Sequence, residues 1–168
     1  MKKAVLLFGL LAICAVAIVP AAAADIGWTN HDSQVLNLSM PNIQLLRIEG
    51  DTVSISVPLP LNPGENPQDG TNNSSQYWFT TNNSNARIDA SLNADMMHDV
   101  VLWVDFAGSP GTSHHIALST VAGTVLDGFG HTTASAKTIT YTLSATLLAD
   151  PTGSSTVTRT VTYTLTHT

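Results

Sequence analysis

The chain has 168 residues, with twelve carboxylates against six lysines and arginines, six histidines and one cysteine. That length holds one domain with its own core, and the single cysteine excludes an intrachain disulfide. The acidic balance repels phosphate backbones and so argues against a nucleic-acid partner.

Met1-Lys2-Lys3 precedes an apolar run over residues 4–19, and Pro20 is followed by four alanines, with Ala22 and Ala24 in the A-x-A positions. This is the layout of a secretory signal peptide, so residues 1–24 are expected to be cleaved. Membrane contact is then expected only during export, and the location is secreted, periplasmic or cell-surface. Cys14 lies inside the apolar run and follows Ile13, where a lipidation signal would place a small residue. Cleavage leaves Arg47, Arg87, Lys137 and Arg159 as the basic side chains of the mature chain.

Residues 25–33 hold Ile26 and Trp28 among polar neighbours and are expected to form a flexible N-terminal extension. The sandwich domain is expected over 34–168. Leu36, Leu38 and Met40 alternate with Asn37 and Ser39, which predicts a first strand ending at Pro41. Ile43, Leu45, Leu46 and Ile48 fit no single period and predict a bend or bulge between short strands. Val53, Ile55, Val57 and Leu59 alternate again, with Pro58 marking an edge strand or a fading one. Residues 60–75, rich in Pro, Gly, Asn and Ser, predict a long exposed loop.

Tyr77-Trp78-Phe79 is a compact aromatic strand, and Ala86, Ile88, Ala90 and Leu92 mark the next. Residues 100–106 are the most continuously apolar of the expected strands, as suits the middle of a sheet. Ile116 and Leu118 start another strand, and 123–130 reads as a glycine-punctuated connection. The plainest signal is at the end. Ile139, Tyr141, Leu143, Ala145 and Leu147 alternate with hydroxylated residues, and Val157, Val161, Tyr163 and Leu165 repeat the pattern, with Arg159 out of place. A period of two puts an apolar row on one face of each strand and threonines on the other. Asp150-Pro151-Thr152-Gly153 supplies a turn between them. The whole reads as one all-β domain, an antiparallel β-sandwich of about eight or nine strands with no amphipathic helix.

Chemistry is harder to find in the sequence. His114 and His115 are adjacent and so point to opposite faces of a strand, which suits no shared metal. The aspartates lack calcium-loop spacing, there is no G-x-S-x-G elbow, and 123–130 lacks the ending of a phosphate loop. No cofactor, metal or catalytic residue is therefore expected. Alternation sends Tyr77 and Phe79 to one face and Trp78 to the other. Large aromatics dominate β-cores, but an outward tryptophan would be a platform for a sugar ring.

Three stretches, 35–49, Gly128-Phe129-Gly130 and 161–165, make the chain resemble a group of small secreted β-sandwich proteins of Gram-negative bacteria, mostly without assigned function. The C-terminal alternating strand with its tyrosine also resembles fimbrial subunits of the chaperone–usher type and spore-coat-like domains. That resemblance implies an immunoglobulin-like sandwich completed by a strand from a neighbour. The chain departs from the pilin pattern in lacking a disulfide and in placing Tyr163 five residues from its end.

The leading expectation is a non-enzymatic structural protein of the cell surface, a fimbria-like subunit whose partners are further copies of itself and a periplasmic chaperone. Ile26, Trp28, Leu36 and Leu38 are the candidate donor strand; Tyr141, Tyr163 and Leu165 are the candidate receiving core. Alternatively 34–40 is an ordinary first strand. The competing function is a monomeric module that binds a surface glycan or other ligand through Trp78 and the loop 62–76.

Overall fold

A computed structural model describes residues 34–50, 52–108, 110–152 and 155–167. The chain divides into two units, Met1–Pro41 and Asn42–Thr168. Of the first, residues 34–41 are described; they form no strand and are exposed. Ile26 and Trp28 lie outside the described residues.

The second unit holds nine strands and, among the described residues, no helix: β1 (Gln44–Glu49), β2 (Gly70–Thr81), β3 (Ala86–Leu92), β4 (Val100–Phe106), β5 (Thr112–Ser113), β6 (Ile116–Ala117), β7 (Gly123–Phe129), β8 (Thr132–Ala145) and β9 (Val161–His167). They form a five-stranded sheet in the order β1-β2-β8-β4-β6 and a four-stranded sheet in the order β5-β7-β3-β9. Every pairing is antiparallel. The alternation that marks β3 and β4 in the sequence is what buries one face of each: Ala86, Ile88, Ala90 and Leu92 on β3, and Val100, Leu102, Val104 and Phe106 on β4.

These faces meet in one core between the sheets. Tyr77, Phe79, Val104, Phe106 and Ile139 from the larger sheet pack with Ile88, Val125, Leu126 and Phe129 from the smaller. Aromatic rings link the layers, with Phe79 and Phe129 centred 4.5 Å apart and Phe106 and Tyr163 5.4 Å apart. Burial of rings of this size is the main drive for the two sheets to close on each other.

Several strands differ from the sequence reading. Residues 34–43 contain no strand, so the first strand among the described residues is β1, not 36–40. β1 itself is one regular edge strand rather than a bend: Leu46 and Ile48 turn inward while Leu45, Arg47 and Glu49 face out. Leu45, 64% exposed, was what broke the apparent period. Residues 52–58 keep the alternating burial of a strand, and Val53 and Ile55 pack on the core, yet 52–60 joins no ladder and Leu59 is exposed. They run beside β2, where Asn72 Nδ2 donates to the Ser54 carbonyl at 3.2 Å, and the backbone of Ser56 comes so close to Gly70 that a Cβ there would meet its oxygen at 2.0 Å.

The expected loop over 60–75 ends early, because β2 begins at Gly70 and pairs with β8 from there. Its polar residues carry no hydrophobic signal, but backbone ladders need none. The glycine-punctuated 123–130 is strand β7, whose Val125 and Leu126 are fully buried. At the C-terminus, β8 starts before the predicted alternation and stops at Ala145, leaving Leu147 and Leu148 exposed in a turn. The last strand covers only Val161–His167, with 155–160 outside any ladder.

Candidate functional site

The two long sides of the sandwich are built differently. On one side the edges are β5 and β6, two residues each, and the chain from 112 to 117 passes directly from one sheet to the other. Edges this short offer little backbone for another strand to pair with. On the other side the edges are β1, of six residues, and β9, of seven, and neither has a second neighbour in its sheet.

Between these two edges lies a groove of about 810 Å³. Leu46, Ile48, Val53 and Ile55 line it from the β1 side, and Val157, Val161, Tyr163 and Leu165 from the β9 side. Leu102 and Tyr141 form its floor. Leu46 and Ile48 of β1 and Val161, Tyr163 and Leu165 of β9 reach the groove as the period-two residues of their strands, among polar neighbours such as Gln44, Thr52, Ser54 and Thr164. Residues 157, 159, 161, 163 and 165 all line it, and so do the threonines at 156, 158, 160 and 164.

The groove has a closed end and an open end. At the closed end the Gln44 side-chain amide donates to His167 Nδ1 at 2.8 Å, joining the start of β1 to the end of β9. Toward the other end β1 stops at Glu49, and Gly50 takes a φ of +116°, a left-handed conformation that favours glycine. The chain then swings along β2 as the unpaired segment 52–60, and the groove opens between this segment and residues 156–160.

At its floor the hydroxyls of Tyr141 and Tyr163 lie 2.7 Å apart. Both phenols are pushed up from the ordinary tyrosine value by burial, Tyr163 far up. For Tyr163, the charge of a neighbouring Tyr141 phenolate and the hydrogen bond itself add to that shift, whereas for Tyr141 the bond partly offsets it. Two hydroxyls carry two protons and one is used between them. The second meets no acceptor among the described residues, and both tyrosines line the groove.

The structure thus brings together Tyr141, Tyr163 and Leu165, the residues singled out as a receiving core. Leu36 and Leu38 are exposed at 59% and 81%, as is Met40 at 82%. Sequence reasoning passed over Leu46, Ile48, Val53 and Ile55 as groove residues, since alternation marks a buried face without saying whether a second layer covers it.

Trp78 lies on the outer face of the larger sheet, half-buried, with the Arg47 guanidinium 5.1 Å from its ring centroid. A shallow depression of about 470 Å³ adjoins it, bounded by Leu45, Thr80, Thr133 and Ser135. The depression follows from a β-bulge, for Tyr77 pairs with Lys137 but Phe79 with Ala134, so Ser135 and Ala136 are squeezed out opposite Trp78. The loop once expected beside Trp78 is partly strand, and 70–76 belongs to β2.

His114 and His115 go to different sheets, as their adjacency requires. His114 faces Asp127 of β7 at 3.1 Å, while His115 bonds Asp105 of β4 and stacks on Trp103. Among the described residues no three His, Cys, Asp or Glu side chains come close enough to hold a metal ion. No family model matches the chain, and no curated protein matches it.

Proposed function

We propose that the protein is a secreted, non-enzymatic structural subunit that assembles by strand addition, with the groove between β1 and β9 as its receiving site. One observation carries this reading: a groove with apolar residues on both walls lies between two long edges that, among the described residues, have no second neighbour. A strand seated there would pair its backbone with a free edge and bury alternate apolar side chains, which are the two needs such a groove presents. Residues 34–40 supply the matching pattern, exposed and outside any strand. The immunoglobulin-like character of the sandwich and the help of a periplasmic chaperone belong to the same proposal.

The test is light scattering after size-exclusion chromatography, with negative-stain microscopy, on the chain beginning at Asp25. Ladders or fibres that are lost in a Leu36→Asp/Leu38→Asp variant are expected. A monodisperse monomer at every concentration, with or without added chaperone, would overturn the proposal.

A second reading has its own observation, the outward Trp78 beside a depression, which suits a sugar ring stacked on the indole. Here Trp78→Ala should abolish retention on a polysaccharide column while leaving the fold intact.

A further inference from the structure

The groove is not uniform along its length, and its irregularities select an occupant. The Tyr141–Tyr163 pair presents one hydroxyl proton that no other described residue accepts. A purely apolar strand filling the groove would leave that proton buried and unpaired. The strand that fits carries a hydrogen-bond acceptor at that one position and apolar side chains at the positions of the same parity.

Residues 34–40 have this pattern. Gln34 shares the parity of Leu36, Leu38 and Met40 and is exposed outside any strand, as they are. We infer that Gln34 of a second copy of this chain seats on the Tyr141–Tyr163 pair, and that its strand runs antiparallel to β9. The inference rests on the strand-addition reading and adds a register and a direction to it.

The direction follows from the closed end. Starting from Tyr163, a strand running parallel to β9 would set Leu36 against Leu165 and Leu38 against His167. The Gln44–His167 bond spans that end, so a parallel strand would have to displace it to seat Leu38. Running antiparallel, the same strand sets Leu36 against Val161, Leu38 against the Arg159 stem and Met40 against Val157, all lining the open half. Ile48, Val53 and Ile55 face this half from the other side.

The antiparallel direction also separates a second copy from the chain's own segment. Pro41 is joined to Asn42, two residues before β1 begins at the closed end. A segment of the same chain with Met40 at the open end could not reach that junction, so the antiparallel register requires another molecule.

Disulfide trapping tests the register. In a Cys14→Ser background, which removes the one native cysteine, a chain with Leu36→Cys is mixed under oxidising conditions with a differently tagged chain carrying Val161→Cys or Leu165→Cys. Directly opposed residues of an antiparallel pair are within disulfide reach. Intermolecular cross-links to position 161 and not to 165 are expected. Cross-links to 165 or equal yields at both would overturn the inference while assembly by strand addition still stood. Absence of both assembly and cross-links would remove the two together.

The acceptor is tested separately by Gln34→Met, close in shape but without the amide oxygen. Assembly should weaken by roughly tenfold, the scale of one buried hydrogen bond left unmade, with Gln34→Glu retaining an acceptor as comparison. Equal or tighter assembly of Gln34→Met would show that nothing polar is read at this position.

Discussion

Tyr141 of β8 and Tyr163 of β9 join the two sheets through their hydroxyls, 2.7 Å apart, at the floor of the open groove. The chain's three tyrosines are Tyr77, Tyr141 and Tyr163, and burial raises all of them above their ordinary value of 10.0. In the fold the neutral phenol is therefore favoured. Its contribution is complete below the unfolded pKa and is lost as pH rises above about 10 toward the folded values. Phenolate absorbance should appear together with loss of the β-sheet circular dichroism signal, in one cooperative alkaline transition. A phenolate signal that titrates well before unfolding would contradict the burial of these rings.

The bond between the two hydroxyls should be visible in a double-mutant cycle. Tyr141→Phe and Tyr163→Phe each remove one partner and should each destabilise the fold by about 1 kcal/mol in urea titrations. The double variant should fall short of the sum by a similar amount, because the bond can be lost only once. Simple additivity would mean that the two hydroxyls do not interact in solution.

Ala136 holds a left-handed φ of +51° in the bulge of β8 opposite Trp78. An L-residue is strained there and glycine is not, so Ala136→Gly should raise stability by about 1 kcal/mol, offset in part by its freer unfolded chain. Ala136→Val should lower it. Equal stabilities for all three would place the bulge at another residue in solution.

Ile88 sits fully buried on β3, paired on one side with Leu126 and on the other with Leu165. Ile88→Ala removes methyl groups from the layer between the sheets and should cost about 2–4 kcal/mol by chemical denaturation. A loss under 1 kcal/mol would imply that the core relaxes around the change more freely than its packing suggests.

The sequence made the middle of this fold legible, because β3, β4 and β8 each have one buried face and a period of two. It was less informative where pairing depends on backbone alone. Gly70–Ser75 is strand although Asn72, Asn73 and Ser74 carry no apolar signal, and 52–58 alternates like a strand without joining a ladder. Alternation reports which side chains turn inward; it does not report whether a neighbouring edge accepts the hydrogen bonds. For the same reason Tyr141, Tyr163 and Leu165 could be singled out from their pattern, whereas Ile48 and Val53, which complete the groove, could not. Their positions depend on the turn at Gly50 and on the Gln44–His167 bond, and both follow from tertiary packing.

Filling the groove should stabilise the receiving molecule. A peptide with the sequence of residues 34–41, added to the Leu36→Asp/Leu38→Asp chain that cannot donate its own strand, binds the folded form alone and shifts unfolding by mass action. At a peptide concentration about a hundredfold above its dissociation constant the gain is about 2.7 kcal/mol, a rise in Tm of roughly 5–10 °C for a domain of this size. A peptide of the same composition with the alternation scrambled should give no shift, since its apolar side chains cannot all face the groove. Replacing Ile48 by Asp in the receiver should abolish the effect by placing a charge in the apolar wall. If the alternating and scrambled peptides raised Tm equally, the groove would not be reading a strand, and the exposed leucines of 34–40 would need another partner.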